Sequence, residues 1–135
     1  LRVDDRPVRL RCDIERADAI LCFDASLLEG RLLAIASPRT LIVVNSAQPP
    51  EHFAQALNGY RVIAIDGLGI ARRHGLGRIV NSALLGALAR GLQAPALEQM
   101  ERTLAENSPK LIDANIAACA DGWHRADELL REVAA

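Results

Sequence analysis

The sequence predicts an α/β fold built on a parallel sheet, and three apolar segments support that prediction. Each segment is aliphatic and lacks polar alternation, which is typical of a strand buried on both faces of a sheet. The segments and the polar residues that follow them are Ala19–Phe23 with Asp24, Leu41–Val44 with Asn45, and Val62–Ile65 with Asp66. The polar residues lie 21 positions apart, which is enough for a strand, a crossover and a turn. We therefore expect their side chains to share one edge of the sheet, where such folds bind ligands and partners.

The length and composition favour a single domain over residues 1–135. The chain has a mass of 14.6 kDa and is 50% hydrophobic, which is sufficient for one core. Its net charge of −1 and its low aromatic content disfavour binding of nucleic acid. No apolar run approaches the roughly 20 residues that span a membrane, and no signal peptide is visible, so we expect a cytoplasmic protein. The only methionine is Met100 and Leu1 leads directly into a predicted strand, so we expect an N-terminal part to be missing.

The first segment is predicted to be a hairpin at the margin of the sheet. Between Leu1 and Cys12, Val8 and Leu10 alternate with arginines, and Pro7 suits an edge strand. The helical segments are predicted from turn and capping residues and from apolar spacing. They are one or two turns within Ala25–Leu33, a helix from Pro49-Pro50 to about Leu57, a helix after Gly67, the segment Ile79–Leu92, an amphipathic helix containing Leu97, Met100 and Leu104, and a final helix capped by Ser108-Pro109.

The segment Ile79–Leu92 is apolar or small at nearly every position. A helix with this composition is buried on most sides, either inside a three-layer fold or against another subunit. Asn81 is a polar exception, and a buried amide costs roughly 1–3 kcal/mol unless it is hydrogen-bonded. Two interpretations follow: Asn81 or Ser82 caps the helix, or Asn81 presents its amide to a ligand.

Candidate sites for other chemistry are weak. Gly67-Leu68-Gly69 follows a strand, which permits a Rossmann-like nucleotide-binding module that uses Asp66, Gly67 and Gly69, although Arg72 stands where a third glycine belongs. A basic cluster, containing Arg72, Arg73, His74 and Arg78, either contacts an anion or faces water. We predict no catalytic residue and no metal site, and we expect the isolated cysteines Cys12, Cys22 and Cys119 to be buried and reduced.

The order of segments resembles the gamma subunit of 2-oxoacid:ferredoxin (acceptor) oxidoreductases of the pyruvate, ketoisovalerate and phenylglyoxylate type. The resemblance covers most of the chain, and its most specific part is the block Asn81–Ala87. The other matching segments are Arg6–Arg11, Ala17–Ile20, Asp24–Leu28, Leu41–Asn45 and Ile63–Asp66. The chain departs from the family in two ways: an initial glycine-rich strand–turn–helix segment is absent, and Gly67 and Gly69 replace bulkier residues. On this resemblance, residues 1–135 are the C-terminal two-thirds of a gamma-type domain.

The resemblance implies a three-layer α/β/α sandwich with a mostly parallel sheet, working as a subunit that is inactive alone. Other subunits would hold thiamine diphosphate, Mg²⁺ and 4Fe-4S clusters, and this chain would bind no cofactor by itself. The complex would oxidatively decarboxylate a 2-oxoacid, usually to an acyl-CoA, and pass electrons to ferredoxin or another acceptor. This chain would shape subunit contacts and the access of coenzyme A. Asn45 and Asn81, at the two Val-Asn positions of the family, would lie on the coenzyme A side.

Overall fold

The computed structural model describes residues 1–135 and contains three strands and five α-helices. The strands are β1 (Ala19–Cys22), β2 (Leu41–Asn45) and β3 (Arg61–Ile65), and the helices are α1 (Arg31–Ala34), α2 (Gly67–Arg73), α3 (Asn81–Leu92), α4 (Leu97–Asn107) and α5 (Ile112–Ala134). Short 3₁₀ helices form at Ala25–Leu27 and Pro50–Phe53. The strands are parallel and ordered β1-β2-β3, so the predicted parallel sheet is confirmed.

The sheet is buried on both faces, as strands without polar alternation require. One face packs against α2, α3 and α5, and its central residues are Leu41, Val43, Ile63 and Ile65. The opposite face packs against the short helical segments between the strands, through Ile20, Cys22, Ile42, Val44 and Ala64 of the sheet and Leu28, Phe53 and Leu57 of the connections. The predicted three-layer arrangement is confirmed. One helical layer contains α2, α3 and α5, and the other contains only the short helical segments that connect the strands.

Helices α3 and α5 run in the same direction and touch along their backbones. Ser82 lies beside Asn115 near their beginnings, and Arg90 lies beside Asp127 further along. Between these pairs, a Cβ atom at Gly122 would overlap the backbone of Ala83, so α5 requires glycine there. This close contact places α5 against the helix that covers the centre of the sheet.

Helix α3 is less completely buried than its sequence suggests. Its small residues face α5 and the sheet, whereas Leu85 and Leu92 are 39% and 45% exposed. With Leu88, they line a cleft of about 1050 Å³ that also borders the free edge of β1 and the N-terminal segment. The expectation of a helix buried on most sides is therefore correct except along this apolar stripe.

The predicted N-terminal hairpin is wrong. Residues 1–18 contain no strand, and Val8 and Leu10 remain 46% and 67% exposed. The segment is held instead by the guanidinium of Arg2, which donates hydrogen bonds of 2.7 Å to the carbonyls of Cys12 and Asp13. Alternating residues form a strand only where a neighbouring strand pairs with them. In this structure no segment pairs with the outer edge of β1.

Two helix boundaries also differ from prediction. The helix after Pro50 ends as a 3₁₀ helix at Phe53 and continues only as turns, although Phe53 and Leu57 are buried as expected. Ser108 ends α4 and does not begin α5, which starts at Ile112 after a residue with φ of 52°, Leu111. The side-chain amide of Asn115 stabilises that turn by donating to the carbonyls of Lys110 and Leu111.

None of the five α-helices combines the length and the apolar character that crossing a lipid bilayer demands.

Candidate functional site

The carboxyl ends of the three strands meet at one edge of the sheet, as predicted. Asn45, the last residue of β2, joins its neighbours on both sides through its side chain. The Nδ2 atom donates to the carbonyl of Phe23 at 3.1 Å, and Oδ1 accepts from the backbone N–H of Gly67, also at 3.1 Å. Asp24 and Asp66 follow the neighbouring strands at the same edge. The three polar residues therefore lie together.

Asp24 and Asp66 are both occupied in capping the turns that follow them. The carboxylate of Asp24 accepts from the backbone N–H and the hydroxyl of Ser26, and these hydrogen bonds lower the pKa of Asp24. The carboxylate of Asp66 accepts from the backbone N–H of Gly69 at 2.8 Å. Their first role is thus local: each fixes the direction in which the chain leaves the sheet.

The geometry at Gly69 disfavours the nucleotide-binding alternative. A Cβ atom at this position would overlap the Asp66 carboxylate, so the glycine makes room for the cap. The N–H of Gly69, which a phosphate would need, is already bound by that negatively charged group. The carboxylate of Asp66 lies at the beginning of α2, and its negative charge would repel a pyrophosphate bound there.

Asn81 is the first residue of α3, and it is exposed at the same edge of the sheet. Its side chain makes no hydrogen bond within the chain, and the helix has no side-chain cap. Neither the expected burial of this amide nor its expected capping role is found, because Asn81 lies at the exposed beginning of the helix and the buried residues Ala83 and Leu84 are on another side of it. Its amide is available to a group from outside the chain.

The start of α3 is anchored by residues that sequence reasoning missed. The hydroxyl of Ser82 donates to Oδ1 of Asn115 at 2.6 Å, and Asn115 in turn holds the turn at Leu111. No pattern in the sequence relates Ser82 to Asn115, because the pairing depends on how α3 and α5 pack. These hydrogen bonds connect the beginning of α3, next to the exposed Asn81, to the beginning of α5.

Exposed apolar side chains come from the segments that meet at this edge. We call them, together with the polar residues Asp24, Asn45, Asp66 and Asn81, the carboxyl-end surface. The apolar members are Phe23 (48% exposed), Leu27 (62%), Ile79 (51%), Leu111 (56%) and Ile112 (40%). Exposed large apolar groups around a free amide are typical of a contact surface, since isolated proteins generally bury such groups.

The basic cluster is partly neutralised within the chain. Nε2 of His74 lies 2.7 Å from Asp121 on α5, and Arg73 lies 3.6 Å from the same carboxylate. Arg72 and Arg78 are exposed and form no ion pair. The cluster therefore attaches α2 to α5 and leaves two arginines facing water.

The cysteines lie in three separate environments. Cys22 on β1 and Cys119 on α5 are buried, as predicted, and burial raises the pKa of both thiols, that of Cys119 to about 11. Cys12 is exposed, so its predicted burial is wrong, because the N-terminal segment does not join the sheet. Iron–sulfur clusters bind thiolates, so the raised pKa values of Cys22 and Cys119 make these two buried thiols poor cluster ligands.

No group of three or more His, Cys, Asp or Glu side chains is arranged to hold a metal ion. His74 is engaged with Asp121, and Ser82 with Asn115, so neither pair has the nucleophile-and-base arrangement of a hydrolase. The carboxyl-end surface presents one free amide, that of Asn81, among exposed apolar side chains.

Comparison with known proteins gives consistent results. The family model for pyruvate ferredoxin/flavodoxin oxidoreductase matches residues 1–124. The chain is 27% identical over 128 residues to the pyruvate/ketoisovalerate oxidoreductases common subunit gamma of Thermococcus kodakarensis, covering 92% of this chain and 69% of that protein. It is also 27% identical over 129 residues to the pyruvate synthase subunit PorC of Thermotoga maritima, covering 90% of this chain and 67% of that protein.

The fold has a counterpart among solved structures. The crystal structure of pyruvate oxidoreductase subunit PORC from Thermotoga maritima superposes with a TM-score of 0.73 at 25% identity, covering 82% of this chain. The match spans 64% of the length of that subunit, so this chain corresponds to a part of it. The match of the family model over 1–124 and the shared fold lead to one conclusion: the chain belongs to the pyruvate ferredoxin/flavodoxin oxidoreductase family.

Proposed function

We propose that this chain is a gamma-type subunit of a multisubunit 2-oxoacid oxidoreductase that works in the cytoplasm. The observation that carries the proposal is the match to the family over residues 1–124, together with relatives that are named as gamma or PorC subunits. The complex would oxidatively decarboxylate a 2-oxoacid to an acyl-CoA and pass the electrons to ferredoxin or another acceptor. This chain would contribute contacts between subunits and would shape the access of coenzyme A. It would supply no catalytic residue.

The distribution of side chains supports a subunit without its own cofactor. The three cysteines are too far apart in the fold to ligate one cluster, since Cys22 and Cys119 lie on different layers and Cys12 is in the N-terminal segment. The two carboxylates at the carboxyl-end surface cap turns and so are committed within the chain. Thiamine diphosphate, Mg²⁺ and the 4Fe-4S clusters would therefore be held by other subunits.

We propose that coenzyme A approaches this chain at the carboxyl-end surface, where Asn45 and Asn81 lie. Ligands of parallel α/β folds lie beyond the carboxyl ends of the strands, and both residues are at that end. Asn81 offers an unused amide with two N–H donors and one acceptor, a set that matches the amide and phosphate groups of coenzyme A. The apolar residues beside it would contact neighbouring subunits.

Replacement of Asn81 by alanine in the assembled complex is expected to raise the KM for coenzyme A. The loss of one or two hydrogen bonds from a partly solvated site corresponds to an increase of about 3- to 10-fold. The KM for the 2-oxoacid should stay within about twofold, because that substrate would bind to other subunits. Steady-state kinetics with each substrate varied in turn measures both values.

The matched control is Asn58→Ala. Asn58 is another exposed asparagine, but it precedes β3 and so lies at the opposite end of the sheet. We expect its replacement to leave both KM values unchanged. An unaltered KM for coenzyme A in Asn81→Ala would remove Asn81 from the coenzyme A side.

A further inference from the structure

The side chain of Asn45 has less freedom than that of Asn81, although both are asparagines at the same edge. Asn45 is half-buried and uses both ends of its amide within the chain, in the hydrogen bonds to Phe23 and Gly67. One amide thus connects the end of β1, the end of β2 and the first residue of α2. Such a bridge fixes the spacing of three segments that otherwise separate after their strands end.

The bridge continues from Gly67 to α3. A Cβ atom at Gly67 would lie 2.9 Å from Oδ1 of Asn45, 3.2 Å from Cδ2 of Leu84 and 3.3 Å from Cβ of Val80. The backbone of Gly67 is therefore packed directly between Asn45 and the first turn of α3. Val80 immediately precedes Asn81, so the contact of Gly67 with Val80 lies one residue away from the exposed amide.

We propose that Asn45 is a positioning residue, which sets the place of Asn81 on the carboxyl-end surface by holding Phe23 and Gly67. This inference rests on the proposed function, and it assigns the two asparagines different tasks. Asn81 contacts the incoming coenzyme A, and Asn45 acts through Gly67 and Val80. A hydrogen-bonded amide suits this task because one side chain donates on one side and accepts on the other.

The kinetic test uses Asn45→Ala in the assembled complex. We expect the KM for coenzyme A to rise about tenfold, because two hydrogen bonds that hold the surface are lost, while kcat and the KM for the 2-oxoacid stay within about twofold. A merely structural role would lower the amount of active complex and therefore kcat with every substrate. Gln48→Ala, which removes an exposed amide three residues further along, is the matched control and should change neither constant.

A second variant keeps the test valid if Asn45→Ala fails to assemble. Gly67→Ala retains the Asn45 amide but inserts a methyl group between Asn45 and α3, so it should also raise the KM for coenzyme A selectively. A rise in both KM values together, or a loss of kcat alone, would overturn the positioning role.

Hydrogen–deuterium exchange of the assembled complex tests the position of α3 without reference to coenzyme A. In Asn45→Ala, we expect peptides covering 66–70 and 79–85 to exchange about tenfold faster, and peptides of α4 to be unchanged. Asn45→Asp keeps an acceptor for the N–H of Gly67 but loses the donor to Phe23, so it should restore slow exchange in both peptides only in part. Unchanged exchange over 79–85 in Asn45→Ala would contradict the proposal. Faster exchange there, combined with a normal KM for coenzyme A in Asn81→Ala, would support the positioning of α3 by Asn45 while refuting the proposed coenzyme A function.

Discussion

Replacement of Gly122 by alanine is expected to lower the free energy of unfolding by about 3 kcal/mol or more. The added methyl group would overlap the carbonyl of Ala83, and a backbone group inside a packed helix pair cannot move aside as a flexible side chain can. Helices α3 and α5 would have to separate along their whole contact, which also exposes α3 where it covers the sheet. Thermal unfolding followed by circular dichroism should show a decrease in Tm of about 10 °C.

The loss of stability should depend on whether the substituted residue lies in the contact between α3 and α5. Gly86→Ala meets the backbone of Cys119 from the other helix and should have an effect of similar size. Glu132→Ala, at an exposed position of α5, serves as the control and should change stability by less than about 0.5 kcal/mol. A Gly122→Ala protein with the Tm of the unmodified chain would show that α3 and α5 are not in backbone contact at Gly122 and Ala83.

Replacement of Asp127 by alanine is expected to cost about 2–4 kcal/mol, because it leaves the charge of Arg90 poorly solvated and unpaired. Asp127 is 8% exposed, accepts a hydrogen bond of 2.7 Å from Nε of Arg90, and forms a salt bridge of 2.7 Å with Arg131. The guanidinium of Arg90 also lies 5.4 Å from the centre of the Trp123 ring, so it cannot turn to solvent without losing that contact. Urea unfolding of the purified chain measures the change.

A second ion pair on the same helix provides the control. Arg125 and Glu128 form a salt bridge of 2.9 Å with side chains that are 49% and 62% exposed. Glu128→Ala should therefore cost less than about 1 kcal/mol. Equal losses of stability in Asp127→Ala and Glu128→Ala would show that the carboxylate of Asp127 is as well solvated as that of Glu128. That result would contradict the prediction. The double substitution Arg90→Met with Asp127→Leu should recover much of the loss, since the one charge left without its partner is that of Arg131, whose side chain is 78% exposed.

The strands could be predicted from the sequence almost to the residue. Leu41–Asn45 and Arg61–Ile65 are apolar runs whose burial on both faces needs no knowledge of what covers them. The same reasoning brought Asp24, Asn45 and Asp66 to one edge, because parallel strands place their carboxyl ends together.

The N-terminal segment could not be predicted in this way. Alternation at Val8 and Leu10 indicates a strand only if a partner strand supplies hydrogen bonds, and no local pattern shows whether one is present. The exposure of Cys12 could not be predicted for the same reason, because Cys12 belongs to the N-terminal segment that does not join the sheet.

The sequence predicted where the two asparagines lie but not what their side chains contact. Asn45 and Asn81 were both expected on one side of the domain, and both lie there. Their opposite environments, one amide engaged twice and the other free, arise from how α2 and α3 pack on the strand ends. The pairs Ser82 with Asn115 and Arg90 with Asp127 were missed for the same reason, since each joins two helices whose relative orientation the sequence does not encode locally.

We propose that this chain works as the gamma-type part of a 2-oxoacid oxidoreductase. The most direct test is affinity purification of the chain from its native source, followed by identification of the proteins that elute with it and an assay of coenzyme A-dependent 2-oxoacid oxidation. We expect the eluate to contain thiamine- and iron–sulfur-binding subunits in fixed proportion and to carry that activity. Elution of the chain without such subunits, or of an assembly that oxidises no 2-oxoacid, would contradict the claim.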